Sequence, residues 1–123
     1  MTQAYSEGLP ILAFASAALL HAWLEEHHAS SDGIWVRVYR KSAGIASVTF
    51  AELLDEGLCF GWSESMRRRY DAVSYLQKFT PRCSRGTKSA RNMARARSLQ
   101  AEGRLTSAGL AALGWAPPEE NDD

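Results

Sequence analysis

The stretch spanning residues 58–82, LCFGWSESMRRRYDAVSYLQKFTPR, constrains this chain more than any other. Its pattern repeats every two residues, as a strand requires, because successive side chains of an extended backbone point to opposite sides. Phe60, Trp62, Glu64, Met66 and Arg68 then share one face, and Gly61, Ser63, Ser65, Arg67 and Arg69 the other. Tyr70-Asp71-Ala72 supplies a turn, and residues 74–80 a returning antiparallel strand in which Tyr75, Gln77 and Phe79 alternate with Leu76, Lys78 and Thr80. Pro81 closes that strand, since proline has no amide proton for the ladder.

The remaining elements follow from local signals. Residues 1–15 read as an irregular lead-in. Ser16 caps a helix to about His28, with Leu19, Leu20, Trp23, Leu24 and His27 on one face. Residues 34–39 (IWVRVY) are β-branched and aromatic, hence a strand. Thr49 and Glu52 form a capping box, with Val48 and Leu53 as the flanking hydrophobic pair, so capping accounts for Glu52. Gly57 is expected to end that helix, and Leu58 and Cys59 to begin the next strand. Ser89 or Thr87 caps a third helix to about Glu102, and Thr106 caps a fourth that stops at Gly114. The expected fold is α+β: a small, mainly antiparallel three-stranded sheet (residues 34–39, 59–69 and 74–80) packed by about four helices. Residues 1–115 form one domain, and the acidic tail 116–123 is expected to be disordered.

Charge is distributed unevenly. Residues 1–66 carry three Lys/Arg against eight Asp/Glu, residues 67–104 eleven against two, and the tail four carboxylates, for a total of zero. A basic segment of this density attracts phosphates, nucleic acid or an acidic protein surface. The alternative is internal neutralisation by the acidic N-terminal half. Arg91, in the first turn of the third helix, opposes the helix dipole and suggests an anion near that terminus.

Other classes find little support. The apolar run 10–20 is shorter than the roughly 20 residues a spanning helix needs, and the N-terminus has no basic region of the signal-peptide type. The expectation is a cytoplasmic protein without membrane insertion. Cys59 and Cys83 do not occur at metal-ligand spacing, and no cofactor motif is present. Cys83, between Arg82 and Arg85, is the thiol whose neighbours could lower its pKa.

The succession GIWVRVYRKSAG, TFAELLDEGLCFGW, YLQKFTPR and RNMARARSLQAEGRLTSAGL resembles the YdeI/OmpD-associated family of small bacterial proteins, over about Leu9 to Trp115. The pattern carries over onto Trp35, Lys41, Glu52, Cys59, Phe60, Gly61 and Trp62. It continues at Tyr75, Phe79, Thr80, Pro81, Arg82, Arg85, Ser89, Asn92, Gly103 and Gly109. Two positions depart from it: GWSES replaces GWIDG at 61–65, so Glu64 stands for an aspartate, and Lys88 replaces a tryptophan before Ser89. The resemblance implies a bacteriocin-protection or antimicrobial-peptide-resistance protein with no established reaction.

Three functional readings follow. The first is a non-enzymatic stress or resistance protein that binds an anionic small molecule or acidic partner through a basic, aromatic rim of Trp62, Glu64, Arg67, Arg69, Tyr75, Arg82, Lys88 and Asn92. Cationic peptides would be repelled by such a rim. The second is nucleic-acid binding by the basic 67–97 segment, although no RNP-type, GXXG or helix-turn-helix signature is present. The third is an enzyme with Glu64 as general base, against which nearby arginines argue because they favour the charged carboxylate. No nucleophile–base pair is identifiable, so no catalytic residue is assigned.

Overall fold

The computed structural model describes residues 3–82 and 89–115. Its elements run β1 (Tyr5–Ser6), β2 (Leu9–Ala13), α1 (Ala17–His27), β3 (Ile34–Tyr39), a 3-10 turn (Lys41–Ala43), α2 (Phe50–Phe60), β4 (Trp62–Arg69), β5 (Ser74–Pro81), α3 (Ala90–Ala101) and α4 (Ser107–Leu113). Cys83, Arg85, Thr87, Lys88 and the tail 116–123 lie outside the described residues.

Each α-helix starts at a polar cap. The hydroxyls of Ser16, Thr49, Ser89 and Thr106 accept from the amides of Leu19, Glu52, Asn92 and Gly109. At Thr49 the box closes, because the Glu52 carboxylate accepts from the Thr49 amide at 2.9 Å. These caps satisfy amides that a helix N-terminus leaves unpaired, typically worth about 1 kcal/mol each.

The expectation of a three-stranded, mainly antiparallel sheet is corrected. The sheet is mixed and five-stranded, in the order β1-β2-β3-β5-β4. Leu9–Ala13, expected to be irregular, runs parallel to β3 with Ile11, Leu12 and Ala13 opposite Trp35, Val36 and Arg37. Helix α1 is the crossover that parallel neighbours require. β1 then folds back antiparallel on β2 through a Glu7-Gly8 turn. LPILA carries no alternation of its own. It becomes a strand because β3 is fully buried at Ile34, Trp35 and Val36, and buried backbone groups along its second edge need partners.

The boundary between α2 and β4 is also corrected. Leu58, Cys59 and Phe60 are helical, and the stop is Gly61, at φ 77°. Gly57 lies within the helix because β4 passes too close for a side chain: a Cβ there would sit 2.7 Å from the Trp62 carbonyl oxygen. A short apolar run such as LCF reads equally well as helix or strand, and packing decides.

The alternation expected along β4 breaks at a bulge. Glu64 pairs with Phe79 and Arg67 with Gln77, so three steps of β4 match two of β5. One extra residue inverts the parity beyond it. Arg67 and Arg69 therefore join Glu64 on the face toward the helices, while Arg68 joins Ser63 on the opposite face. On the helix side, Ile34, Val36, Val38, Phe79 and Trp62 pack with Leu20, Leu24, Leu53, Leu58 and Leu99 in one apolar core.

Candidate functional site

Past the bulge, the end of the sheet gathers cations around one ring. The Arg67 guanidinium lies 4.3 Å from the centre of the Tyr75 ring and 4.8 Å from that of Phe50. Its Nε donates to Gln77 Oε1 at 3.4 Å, and the Gln77 amide donates to the Met66 carbonyl at 3.0 Å. Buried Gln77 thus ties the bulge to the side chain that the bulge turned inward. Arg40, just after β3, approaches the same Tyr75 ring at 5.5 Å, and Arg69 stands opposite Tyr75 in the ladder. Arg40 and Lys41 also line a cavity of about 400 Å³ together with Tyr39, Ile45, Ser47 and Thr49. Guanidinium–ring contacts are each worth about 0.5–2 kcal/mol, and they leave the charge available to a ligand.

Ion pairing separates these cations from the rest. Arg68 and Lys78 meet Glu7 at 3.0 and 3.5 Å, Arg95 meets Asp55 at 2.7 Å, Arg104 meets Glu56 at 3.3 Å, and Arg37 meets Asp71 at 2.7 Å. Glu7, Asp55 and Glu56 of the first half therefore pair with four cations of the basic segment, Arg68, Lys78, Arg95 and Arg104. Among the described residues, no carboxylate lies within 4 Å of Arg40, Lys41, Arg67 or Arg69, nor of Arg91 and Arg97 on α3. The Ser74 hydroxyl, the Val73 amide and Arg37 together hold Asp71 below the usual carboxylate range.

A second cluster lies between α1, α2 and the segment before α4. Glu56 is 4% exposed. Its carboxylate meets His21 Nδ1 at 2.7 Å and Arg104 at 3.3 Å. Cys59, one turn further along α2, is buried, and burial together with the nearby Glu56 charge pushes its thiol up to about 12. A half-exposed imidazole oriented by a buried carboxylate has the form of a general base. Its described partners, however, are Glu25, Glu56 and the Phe60 ring, and no hydroxyl or thiol among the described residues bonds to it. Sequence reasoning missed this cluster. The signal was Glu56 falling on the apolar stripe Leu53, Gly57, Phe60 of α2, where a carboxylate needs a partner.

The residues of the expected rim are dispersed. Trp62 is 1% exposed in the core, its indole N–H donating to the His28 carbonyl at 3.3 Å and its ring packed against Trp23 and Phe79. Tyr75 is buried beneath Arg67 and Arg40. Glu64 is half-buried on β4 opposite Phe79. Arg67 and Arg69 belong to the basic end. Arg82 lines a groove of about 800 Å³ on the opposite face, and Asn92 a separate cavity of about 320 Å³ with Asp55, Arg91 and Arg95. Lys88 lies outside the described residues. Among those residues no group of three or more His, Cys, Asp or Glu is placed to hold a metal ion, and no helix is long and apolar enough to cross a membrane.

A family model described as Domain of unknown function (DUF8412) matches residues 12–112. No curated protein and no solved structure matches the chain. The match corrects the resemblance to the YdeI/OmpD-associated family. Several residues that carried that resemblance have local structural duties any α+β chain could use: Glu52 closes a cap, Gly61 ends α2, and Gly109 permits close packing of α4. The chain belongs to the DUF8412 family.

Proposed function

We propose that this member of the DUF8412 family is a non-enzymatic binding protein whose ligand is anionic, either a small molecule or an acidic surface on a partner. The observation that carries the reading is the cluster of Arg40, Arg67 and Arg69 around Tyr75 at one end of the sheet, with Arg40 and Lys41 lining an open cavity, none of the four having a carboxylate partner among the described residues. Uncompensated cations held against aromatic rings keep their geometry without losing their charge, and they attract anions over several ångströms. A resistance role rested on the discarded resemblance, and this charge disfavours direct capture of a cationic peptide.

The test is thermal stability of the purified chain against phosphorylated metabolites, nucleotides and short oligonucleotides. A ligand that binds only the folded state raises the melting temperature by mass action. The expected result is an anion-dependent rise that Arg67→Ala or Arg40→Ala removes. Stabilisation by every nucleic acid tried, falling steeply with salt, would favour the nucleic-acid reading. Stabilisation that survives both substitutions would remove the basic end from consideration.

A further inference from the structure

The opposite face of the sheet carries a groove that the basic end does not use. It is about 800 Å³ in volume, lined by Glu7, Asp32, Ser63, Ser65, Lys78, Thr80 and Arg82 among others. Two observations distinguish it from an ordinary polar surface. The hydroxyls of Ser63, Ser65 and Thr80 form no hydrogen bond within the described structure, and the Asp32 carboxylate has no ion-pair partner there. The groove wall therefore offers uncommitted donors and acceptors beside cations. Three hydroxyls and a carboxylate match the needs of a polyol, whose every hydroxyl both donates and accepts. Cations match the needs of a phosphate.

The second observation is Glu7. It occupies the first central position of the two-residue turn between β1 and β2 at φ 51°, the only non-glycine with positive φ among the described residues. That position suits Asn, Asp or Gly, since a longer side chain gains nothing locally there. The Glu7 carboxylate spans instead to Arg68 at 3.0 Å and Lys78 at 3.5 Å. Both cations lie over the Trp35 ring, at 5.1 and 5.8 Å. The Trp35 indole N–H donates to the Ser6 carbonyl at 2.9 Å, and Arg68 also donates to the Ser6 hydroxyl at 2.8 Å. Glu7, which lines the groove, thus sits across two cations, Lys78 in the groove wall and Arg68 next to it, held in a turn conformation unfavourable to it.

We propose that this groove binds a phosphorylated polyol such as a sugar phosphate, with Glu7 occupying the phosphate position when the ligand is absent. The phosphate bridges Lys78 and Arg68, and the sugar hydroxyls meet Ser63, Ser65, Thr80 and Asp32. Displacing Glu7 releases the β1 turn from above Trp35, which makes the Trp35 indole N–H the natural reporter. The site is on the other sheet face from Arg67 and Tyr75, so it stands or falls independently of the reading above.

The experiment is a nuclear magnetic resonance titration of the full chain, labelled with ¹⁵N at tryptophan, with glucose 6-phosphate, inorganic phosphate and glucose as separate probes. The Trp35 indole signal is expected to shift saturably with glucose 6-phosphate, and at least about tenfold more weakly with either part alone. Lys78→Met should weaken binding about tenfold or more, whereas Glu7→Gln should tighten it several-fold by removing the internal competitor. Asp32→Asn should weaken the sugar phosphate but leave inorganic phosphate unchanged. Arg67→Ala, at the other site, should change none of these. Melting curves of each variant separate loss of fold from loss of binding. Inorganic phosphate binding as tightly as the sugar phosphate, a Trp35 signal unmoved at millimolar probe, or weaker binding in Glu7→Gln would each overturn the proposal.

Discussion

Thr106 donates twice to a single acceptor, the carbonyl oxygen of Cys59: its amide at 3.0 Å and its hydroxyl at 2.5 Å. The same hydroxyl accepts from the Gly109 amide at 3.2 Å, so one side chain both caps α4 and fastens it to the end of α2. The contact is close because Gly109 has no side chain. A Cβ at that position would sit 2.3 Å from the Cys59 oxygen and 2.6 Å from that of Leu58.

Gly109→Ala should therefore destabilise the domain although alanine favours helix. Forcing an atom into a packed contact typically costs about 1–3 kcal/mol, and here the contact is with unyielding backbone. Thr106→Ala should cost about 1–2 kcal/mol through loss of the cap and the cross-helix bond. Urea unfolding monitored by circular dichroism measures both. A Gly109→Ala variant as stable as the parent would refute this packing.

Cys59 should be inert in the folded protein. Burial is the main cause of its thiol being held up to about 12, and the nucleophile is the thiolate. In a Cys83→Ser background, iodoacetamide at pH 8 should label Cys59 far more slowly than it labels the urea-unfolded chain. The sign for stability follows: between about pH 9 and 12 the unfolded state gives up a proton that the folded state keeps. The stability present below pH 9 is therefore lost as pH rises through that window.

Asp71 gives the opposite dependence. Its carboxyl is lowered, first by the Ser74 hydroxyl and further by the Val73 amide and Arg37. A depressed folded value contributes stability that is fully present above the unfolded carboxylate value of about 4 and is lost as pH falls through the folded value. The melting temperature of the parent should exceed that of Asp71→Asn by a constant amount from pH 5 to 7. That difference should shrink below about pH 4.

The Glu56 cluster should show coupling. The Glu56 side chain is only 5% exposed, whereas Arg104 and His21 are 39% and 42% exposed. Arg104→Met removes a partner from a desolvated carboxylate and should cost about 1–3 kcal/mol. Removing both charges with Arg104→Met/Glu56→Gln should cost less than the sum of the single changes. A double-mutant cycle in denaturant would show a coupling of about 1 kcal/mol or more; near-zero coupling would mean that His21 and water, not Arg104, satisfy the carboxylate.

Much of the local structure was legible in the chain. Ser16, Thr49, Ser89 and Thr106 cap the helices expected of them, and residues 74–80 form the returning strand, extended by one residue to Pro81. What misled was non-local. Gly57 reads as a helix stop and is instead a point of close approach to β4. Leu9–Ala13 lacks any strand signature and is recruited by β3. The candidate rim was dispersed because Trp62 is drawn into the core and Arg82 and Asn92 line separate cavities. The bulge after residue 64, which a two-residue alternation does not foresee, instead brings Arg67 and Arg69 onto the face of Glu64.

The sequence by itself determined where helices begin, where the hairpin turns and that a basic segment follows an acidic half, because each depends on residues within a few positions of one another. Only the tertiary structure decided the strand order, the face on which Arg67 and Arg68 lie, the burial of Trp62 and which arginines keep uncompensated charge. Those outcomes rest on partners far apart in sequence, such as Glu7 with Arg68, His21 with Glu56 and Glu56 with Arg104. A carboxylate and a guanidinium separated by that length of chain carry no mark of their pairing. The pairing is fixed when burial of the apolar faces brings the elements together and leaves each buried charge to be satisfied by whatever stands opposite.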